Sequence, residues 1–267
     1  MTRPLILITG ASAGIGAALA REFAAHGWDL ALTARRKERL EDLAEEMKAK
    51  NGVDSLIIPV DMHTKGAPKA IMKAVADAGR HVDGIINNAG YGVPGTYAKV
   101  PWKAHADFIQ IMLTAPCELI YLALPGMVER GFGRIINVAS LAGHLPGSKG
   151  HTLYAADKAF LIKFSQSLNL ETLGTGVHVS ALCPGFTFSE FHDVNDTRGL
   201  VSKTPGWMWK TSEYVAAAGY TAVENNVAVR VPGTANKTIA AIAKILPDPL
   251  AMAMMKRQTK NFRVADE

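Results

Sequence analysis

Residues 4–27 read PLILITGASAGIGAALAREFAAHG, in which an apolar run, a glycine-rich turn and a helical pattern follow one another. The apolar run breaks off at a glycine, which is typical of a buried strand in a parallel sheet. Ile15, Leu19 and Phe23 then recur at helical spacing, and Gly27 ends the pattern. This stretch therefore predicts a strand, a tight turn and a helix, the opening unit of an α/β fold.

The alternation of strand and helix continues along the rest of the chain. Strands that alternate with helices imply right-handed crossovers and a sheet covered by helices on both faces. The sequence therefore predicts a single domain over residues 1–267, an α/β fold with a doubly wound parallel sheet of about seven strands. The further strands are predicted at 28–34, 55–60, 83–88, 133–140, 177–184 and 227–233, and the further helices at about 40–47, 65–79, 103–130, 154–173 and 212–225.

The composition allows a large core and gives little sign of a nucleic-acid partner. Hydrophobic residues make up 48% of the 267 residues, and 29 Lys and Arg against 24 Asp and Glu give a net charge of +5. A nucleic-acid-binding protein concentrates such an excess on one face or in one run. The densest clusters are RRKER at 35–39, which suits a smaller anion, and KRQTKNFR at 256–263, which we interpret as a solvated tail.

Features that report on the cell compartment indicate the cytoplasm. Cys117 and Cys183 are the only cysteines, and both lie in apolar stretches, as expected for core thiols in a reducing compartment. The apolar part of the N-terminus is too short, and too quickly broken by glycine, for a signal peptide. No apolar run approaches the roughly 18 residues of a spanning helix. We therefore expect a cytoplasmic protein without a membrane-spanning segment.

The turn at residues 9–16 carries three glycines, Gly10, Gly14 and Gly16, with the spacing G-x-x-x-G-x-G. Glycine at a strand-to-helix turn lets the backbone approach a ligand closely, and the helix N-terminus offers free N–H groups and a positive dipole end. A dinucleotide pyrophosphate fits such a place. The alternative is a tight turn whose small residues serve packing alone.

Two arginines follow the second predicted strand, which ends at Ala34. An acidic residue at this point would hold the 2′-hydroxyl of the cofactor ribose and repel a 2′-phosphate. Arg35 and Arg36 stand there instead, and guanidinium groups pair with phosphate oxygens. The pattern favours NADP over NAD, although the arginines could also belong to the solvated start of a helix.

With these features the sequence resembles the short-chain dehydrogenase/reductase family, in its short reductase branch, over nearly the whole chain. The resemblance implies a Rossmann-like version of the doubly wound sheet and an oxidoreductase of CH–OH groups. The intact catalytic motif argues against the related dehydratases and epimerases. The matching motifs are TGASAGIG (9–16), Asp61 beside the adenine, NNAG (87–90), Ser140, the Y-x-x-x-K of Tyr154 and Lys158, and PGFT (184–187) along the nicotinamide.

The resemblance implies that Ser140, Tyr154 and Lys158 are catalytic. Tyr154 and Lys158 stand at i and i+4 on one face of a helix, so we expect the ammonium to lower the pKa of the phenol. A phenol with a lowered pKa can pass a proton to or from a substrate oxygen, and the Ser140 hydroxyl would orient that oxygen. The alternative for YAADK (154–158) is a surface Tyr–Lys pair that contributes a few tenths of a kcal/mol.

The same resemblance implies a set of residues around the cofactor and no metal site. Lys158 would also bind the ribose hydroxyls. The implied cofactor-binding residues are Gly10, Ser12, Gly14, Ile15, Gly16, Arg35, Arg36, Asp61, Met62, Asn88, Ala89, Gly90, Tyr154, Lys158, Pro184, Gly185 and Thr187.

One residue departs from the family pattern. The family often has an Asn on the long helix after the fourth strand, which helps to hold a water between the lysine and solvent. In this sequence QIMLTAP (110–116) places Met112 there, and a thioether is at best a weak acceptor. We expect backbone carbonyls of this helix to hold the water instead; the alternative is a weakly active or non-catalytic NADP-binding regulator.

The stretch after Pro184 loses the strand–helix rhythm and is rich in aromatic residues. We expect residues 186–211 to form a variable substrate lid, in which Phe186, Phe188, Phe191 and Trp207 line a pocket for a hydrophobic ketone or secondary alcohol. The alternative is that these rings only fix the loop to the core.

A C-terminal helical tail is predicted at about 234–262. It could cover the pocket, join a subunit interface or make peripheral contact with an anionic membrane, in that order of preference. The resemblance implies a homodimer or homotetramer formed through the long helices.

Overall fold

The computed structural model describes residues 2–93, 95–150, 152–188 and 205–259. Its main feature is a seven-stranded sheet in the order β3-β2-β1-β4-β5-β6-β9, in which every neighbouring pair is parallel. The predicted fold class is confirmed. The strands are β1 Leu5–Thr9, β2 Asp29–Ala34, β3 Ser55–Pro59, β4 Gly84–Asn87, β5 Gly133–Val138, β6 Val177–Leu182, β7 Thr187–Phe188, β8 Lys210–Thr211 and β9 Val229–Arg230.

The position of β1 determines where a ligand can bind. Ile6 on β1 is in register with Leu30 on β2 and with Gly84 on β4, so β1 lies inside the sheet. The strand order reverses between β1 and β4, because β2 and β3 lie on one side and the later strands on the other. Open parallel sheets bind ligands in the crevice at the carboxyl ends of the strands at such a reversal.

Helices cover both faces of the sheet. Helices α1, α2 and α7 pack their apolar residues on one face, and α3, α4, α5 and α6 pack on the other. Each face holds its own cluster of buried aliphatic residues, because β1 to β6 are apolar on both sides. The helices are α1 Gly14–Ala25, α2 Lys37–Asn51, α3 Ala67–Asp77, α4 Trp102–Ile109, α5 Ala115–Glu129, α6 Thr152–Glu171, α7 Ser212–Glu224, α8 Thr234–Ile245 and α9 Asp248–Thr259.

The helix predicted at 103–130 is interrupted. A π-helical turn, Gln110–Thr114, joins α4 to α5, and Pro116 stands in the first turn of α5. Single π turns inside α-helices occur frequently at functional sites. Hydrophobic periodicity did not indicate the turn, because one extra residue barely changes the apolar pattern. Met112 lies within it.

The helical run Trp102–Glu129 passes a length and composition test for a membrane span, with a mean hydropathy of 1.6 over its most apolar window. Of that window 44% is buried inside the protein, and the core helix of a globular protein passes the same test. No other helix in the described part of the chain passes it. The finding is weak evidence and does not indicate a membrane span.

The last strands in chain order, β7 to β9, differ most from the prediction. The strand predicted at 227–233 shrinks to the two residues of β9, and a two-stranded pair, β7 and β8, was not predicted. Of the predicted lid, 186–188 and 205–211 are described, whereas Phe191 lies outside the described residues. The predicted tail contains α8 and α9, as far as residue 259.

Candidate active site

The glycine turn leaves no room for side chains. Gly10 and Gly14 have φ values of +67° and +54°, a backbone conformation that favours glycine. A Cβ on Gly16 would lie 2.3 Å from the carbonyl oxygen of Gly10. Ala13 occupies the N-cap position of α1 and has no side chain able to accept a hydrogen bond from the first N–H groups of the helix. This helix N-terminus therefore fits an anionic ligand such as a pyrophosphate.

Thr9 and Asn88 join the glycine turn to the end of β4. The Thr9 Oγ1 accepts hydrogen bonds from the backbone N–H of Asn88 at 2.9 Å and of Ala89 at 3.0 Å. The Asn88 Nδ2 donates to the carbonyl oxygens of Thr9 at 3.0 Å and Gly10 at 3.1 Å. The NNAG residues thus fix the shape of the turn. Thr9 was missing from the predicted site, although it opens the matching motif.

A buried polar chain supports the same edge of the sheet. The Asn87 Nδ2 donates to Asn137 Oδ1 at 2.8 Å, and the Asn137 Nδ2 donates to Ser165 Oγ on α6 at 2.9 Å. Buried amides of this kind fix one arrangement of their neighbours, because an unpaired partner would be costly. Sequence reasoning missed Asn137 and Ser165, since Asn137 stands alone in an apolar strand and Ser165 is one of several polar residues of its helix.

The two arginines after β2 lie at the rim of the crevice. The Arg36 Nη2 donates to Ser12 Oγ in the glycine turn at 3.1 Å, so its cation stands beside the proposed pyrophosphate position. Asp61 accepts from the backbone N–H of His63 at 3.1 Å, and its Oδ1 lies 2.8 Å from the His63 ring. Burial opposes ionisation of Asp61, but the His63 hydrogen bonds and the Arg35 charge hold its pKa below the usual value.

Other predicted cofactor residues lie around this crevice. Met62 is buried in the core on the α3 side of the sheet, and Ile15 packs partly buried against the α1 side. Gly90 lies against Met112 of the π turn, since a Cβ on Gly90 would lie 2.7 Å from the Met112 Sδ. Met112 is thus buried beside the NNAG motif, as the predicted alignment requires.

Ser140, Tyr154 and Lys158 meet at the carboxyl end of β5. Ser140 follows β5, its Oγ accepts from the N–H of Ala142 at 3.1 Å, and its side chain is hydrogen-bonded to Tyr154. The Lys158 Nζ donates to the carbonyl oxygen of Val138 at 3.0 Å and lies 5.6 Å from the centre of the Tyr154 ring. The three side chains therefore converge as the sequence predicted.

The sequence predicted a lowered pKa for Tyr154, and this prediction is wrong for the protein chain without a ligand. Burial of the hydroxyl raises the pKa of Tyr154 to about 12, the Ser140 hydrogen bond partly offsets this, and the charge of Asp157 adds to it. Tyr154 keeps some solvent exposure, yet burial is the largest influence on its pKa. Burial also lowers the pKa of Lys158. The i, i+4 spacing showed that the two groups are close but not how far both are desolvated.

The segment after β6 completes the carboxyl edge. The carbonyl of Pro184 accepts from the N–H of Leu141 at 2.8 Å, and Thr187 Oγ1 donates to the carbonyl of Gly185 at 3.1 Å. A Cβ on Gly185 would lie 2.6 Å from the side chain of Asn236 on α8. Asn236 was not predicted, because it lies some fifty residues farther along the chain.

A small cleft opens beside Tyr154 on the side of α4. The imidazole of His105 stacks on Tyr97 with ring centres 4.4 Å apart, and His105 Nε2 lies 3.0 Å from the Tyr97 carbonyl oxygen. Sequence reasoning placed the substrate only after Pro184 and missed this wall. The cleft is lined by Val93, Gly95, Tyr97, His105, Phe108, Thr152, Leu153 and Tyr154.

The described aromatic residues of the lid stack on one another. The ring centre of Trp209 lies 4.8 Å from that of Phe188 and 5.5 Å from that of Phe186. Phe188 and Trp207 remain 59% and 64% exposed. The stack is compatible both with a pocket wall and with a fixed loop, so the substrate role of Phe186, Phe188 and Trp207 stays a prediction.

A parallel sheet with this strand order, a glycine turn after β1 that fits an anion and a Ser–Tyr–Lys group at its carboxyl edge are the features of a Rossmann-type oxidoreductase. A family model described as short chain dehydrogenase matches residues 4–198. The chain belongs to the short-chain dehydrogenase family, and the predicted resemblance is confirmed. Its members interconvert alcohol and carbonyl groups.

Relatives support the same family. The chain is 35% identical over 225 residues to the ketoacyl reductase HetN of a Nostoc species, covering 84% of this chain and 77% of that protein. A short-chain dehydrogenase from Sphingobium yanoikuyae in complex with NADPH is 30% identical with a TM-score of 0.79, covering 95% of each chain. The bulky-bulky ketone specific alcohol dehydrogenase from Comamonas testosteroni is 25% identical with a TM-score of 0.75, covering 100% of this chain and 96% of the other.

Proposed function

We propose that the chain is an NADP(H)-dependent reductase that interconverts a hydrophobic ketone and a secondary alcohol, with Tyr154 as the acid–base group. The observation that carries this proposal is the convergence of Ser140, Tyr154 and Lys158 beside the cleft. The Ser140 side chain is hydrogen-bonded to Tyr154, so a substrate oxygen placed between the two hydroxyls would contact both.

The charge state of the site favours proton donation to the substrate. A phenol with a pKa near 12 is protonated at neutral pH, as a donor to a developing alkoxide must be. NADPH, when bound, supplies the hydride to the carbonyl carbon. Ser140 would orient the carbonyl oxygen, Tyr154 would give up its proton, and the Lys158 ammonium would stabilise the phenolate that remains.

Two observations support NADP over NAD. Arg36 holds its guanidinium against Ser12 of the glycine turn at 3.1 Å, and the Arg35 charge acts on Asp61 at the same rim. No acidic side chain follows Ala34 directly, so nothing at the end of β2 repels a 2′-phosphate. The Sphingobium relative, 30% identical, is described in complex with NADPH.

A hydrophobic substrate is supported by two groups of apolar side chains. The cleft beside Tyr154 is lined in part by aromatic and aliphatic side chains, and the rings of Phe186 and Phe188 stack on Trp209 in the segment after β6. Pockets for apolar molecules are lined mainly by such groups. The 25% identical Comamonas enzyme is described as specific for bulky ketones.

We also propose a homo-oligomer that uses α5 and α6. Tyr121 on α5 is 77% exposed and Leu170 on α6 is 67% exposed, and large apolar side chains on neighbouring long helices favour association. Sedimentation of the purified chain measures this directly. The cytoplasmic location and the role of the tail remain predictions.

The proposed reaction is tested by cofactor titration followed by a ketone screen. We expect NADPH to bind at least about tenfold more tightly than NADH, and bulky apolar ketones to oxidise NADPH, seen as loss of nicotinamide absorbance. Tyr154→Phe should lower the turnover by about a thousandfold or more while NADPH affinity changes less than about threefold. Tight NADPH binding without turnover over a broad panel would instead support the NADP-binding regulator.

A further inference from the structure

Asp157 is a buried carboxylate next to the catalytic lysine that the proposed reaction has not yet used. It lies on α6 directly before Lys158, and its side chain is 3% exposed. Within the described part of the chain, neither carboxylate oxygen has a partner within 3.5 Å; the Lys158 Nζ lies just beyond, at 3.7 Å. Buried Asp29 differs, because it accepts from the backbone N–H of Asp54 and from Arg80. A buried carboxylate without such bonds is costly, so its retention calls for a reason.

The ionisable groups around Asp157 belong to the catalytic site and to α5. The Lys158 Nζ lies 3.7 Å from Asp157 Oδ2, and Tyr154 stands one helical turn before it. Across the helix interface, burial together with the Asp157 charge raises the pKa of the Cys117 thiol. On the far side of Lys158, burial raises the pKa of Cys183 to about 12, so that thiol stays neutral. Asp157 is therefore the anion that faces the lysine.

An ammonium in this position needs a counter-charge to stay protonated. Burial lowers the pKa of Lys158, and Asp157 is the largest influence that raises it. Among the described residues, the Lys158 Nζ donates its hydrogen bond to the uncharged carbonyl oxygen of Val138. Without Asp157, the lysine would lose its proton more easily and could no longer stabilise the phenolate.

We propose that Asp157 is a positioning residue that keeps Lys158 protonated and so sets the pH range in which Tyr154 works. The proposal rests on the reductase function proposed above. Asp157 acts through Lys158 and does not reach the substrate. In this chain, the negative charge of Asp157 supports the protonated lysine. The neighbouring π turn contains Met112.

The sign of the pH effect follows from the removal of one negative charge. Asp157→Asn lowers the pKa of Lys158, and it lowers the pKa of Tyr154 as well, because the Asp157 charge raises both. Ketone reduction requires both groups protonated, so the fall in rate at high pH should begin at lower pH. Burial raises the pKa of Asp157 to about 6, so the two proteins should become alike below that pH.

The experiment compares kcat/KM for ketone reduction from pH 5 to 10 in the wild type, Asp157→Asn and Asp157→Glu. Asp29→Asn, a buried carboxylate at the opposite edge of the sheet, is the matched control. We expect Asp157→Asn to shift the alkaline limb down by a unit or more, a loss of about tenfold at a fixed alkaline pH. Asp157→Glu should recover part of this loss, and Asp29→Asn should leave the alkaline limb at its wild-type pH. An equal loss at every pH, or an unmoved limb, would refute the proposal.

A second measurement does not depend on turnover. The Nζ of Lys158 is followed by NMR of protein with labelled lysine, assigned by Lys158→Arg, and its titration midpoint should fall in Asp157→Asn. An unchanged midpoint refutes the role of Asp157 whatever the activity. A lowered midpoint in a protein that reduces no ketone would support the ionic pairing and reject the reductase function.

Discussion

The two halves of the site are built in different ways. On the cofactor side, Gly10, Gly16 and Asn88 fit so closely that a single methyl group would meet backbone atoms. On the substrate side, Gly206 has open space around it, and Trp207 beside it is largely exposed. The comparison indicates that the cofactor half is fixed by backbone fit, whereas exposed positions of the substrate half such as Gly206 and Trp207 can vary at little cost to the fold.

The largest expected effect tests this contrast with one matched pair of glycines. Gly16→Ala places a Cβ 2.3 Å from the Gly10 carbonyl oxygen, whereas Gly206→Ala meets nothing within 4 Å. We expect Gly16→Ala to weaken NADPH binding by about a hundredfold or more, or to lower the free energy of unfolding by several kcal/mol. Gly206→Ala should change neither. Fluorescence titration and thermal melting measure both, and equal effects would abolish the distinction.

The second prediction concerns the charge at the rim of the cofactor half. Removing a hydrogen bond to a charged partner costs about 1.5–3 kcal/mol, so Arg36→Ala should weaken NADPH binding by about tenfold to a hundredfold. The affinity for NADH should change by less than about twofold. Lys37→Ala is the control, because Lys37 is paired with Glu41 at 3.0 Å. Loss of both cofactors in parallel would mean that Arg36 supports the turn and does not read the 2′-phosphate.

The third prediction asks which aromatic ring of the substrate half meets the ligand. Trp207 is 64% exposed, whereas Trp209 stacks on Phe188. We expect Trp207→Ala to raise KM for a bulky ketone by about tenfold and to leave the melting temperature unchanged. Burying part of an aromatic ring against a ligand contributes about 1–2 kcal/mol to binding. Trp209→Ala should also destabilise the fold. If only Trp209→Ala raises KM, the aromatic residues serve to fix the loop.

The smallest effect is expected at the boundary between the two halves. Met112 is 2% exposed and packs against Gly90, so Met112→Asn buries an amide and should destabilise the fold by about 1–3 kcal/mol. Its turnover should change by less than about tenfold if backbone groups of the π turn support the proton path. Met127→Asn, also fully buried on α5, controls for the stability loss. A rise in turnover of a hundredfold or more would show that the native path is incomplete.

The sequence predicted the cofactor half far better than the substrate half. Strand, turn and helix around residues 4–27 follow from short-range apolar patterns and glycine conformation, and these are local properties. The cleft that joins Tyr97 and His105 to Tyr154, and the packing of Asn236 on Gly185, depend on contacts between distant segments, which no periodicity reports. The pKa of Tyr154 was predicted in the wrong direction because sequence spacing measures proximity but not burial.

The two margins of the main sheet limit how copies of the chain can join. The outer strand β3 ends at Pro59, which lacks a backbone donor, and β9 at the other margin has only two residues. Short outer strands and proline discourage the pairing of a foreign strand. Growth of the sheet from one molecule into the next is therefore disfavoured, which favours assembly through side chains on the helical faces.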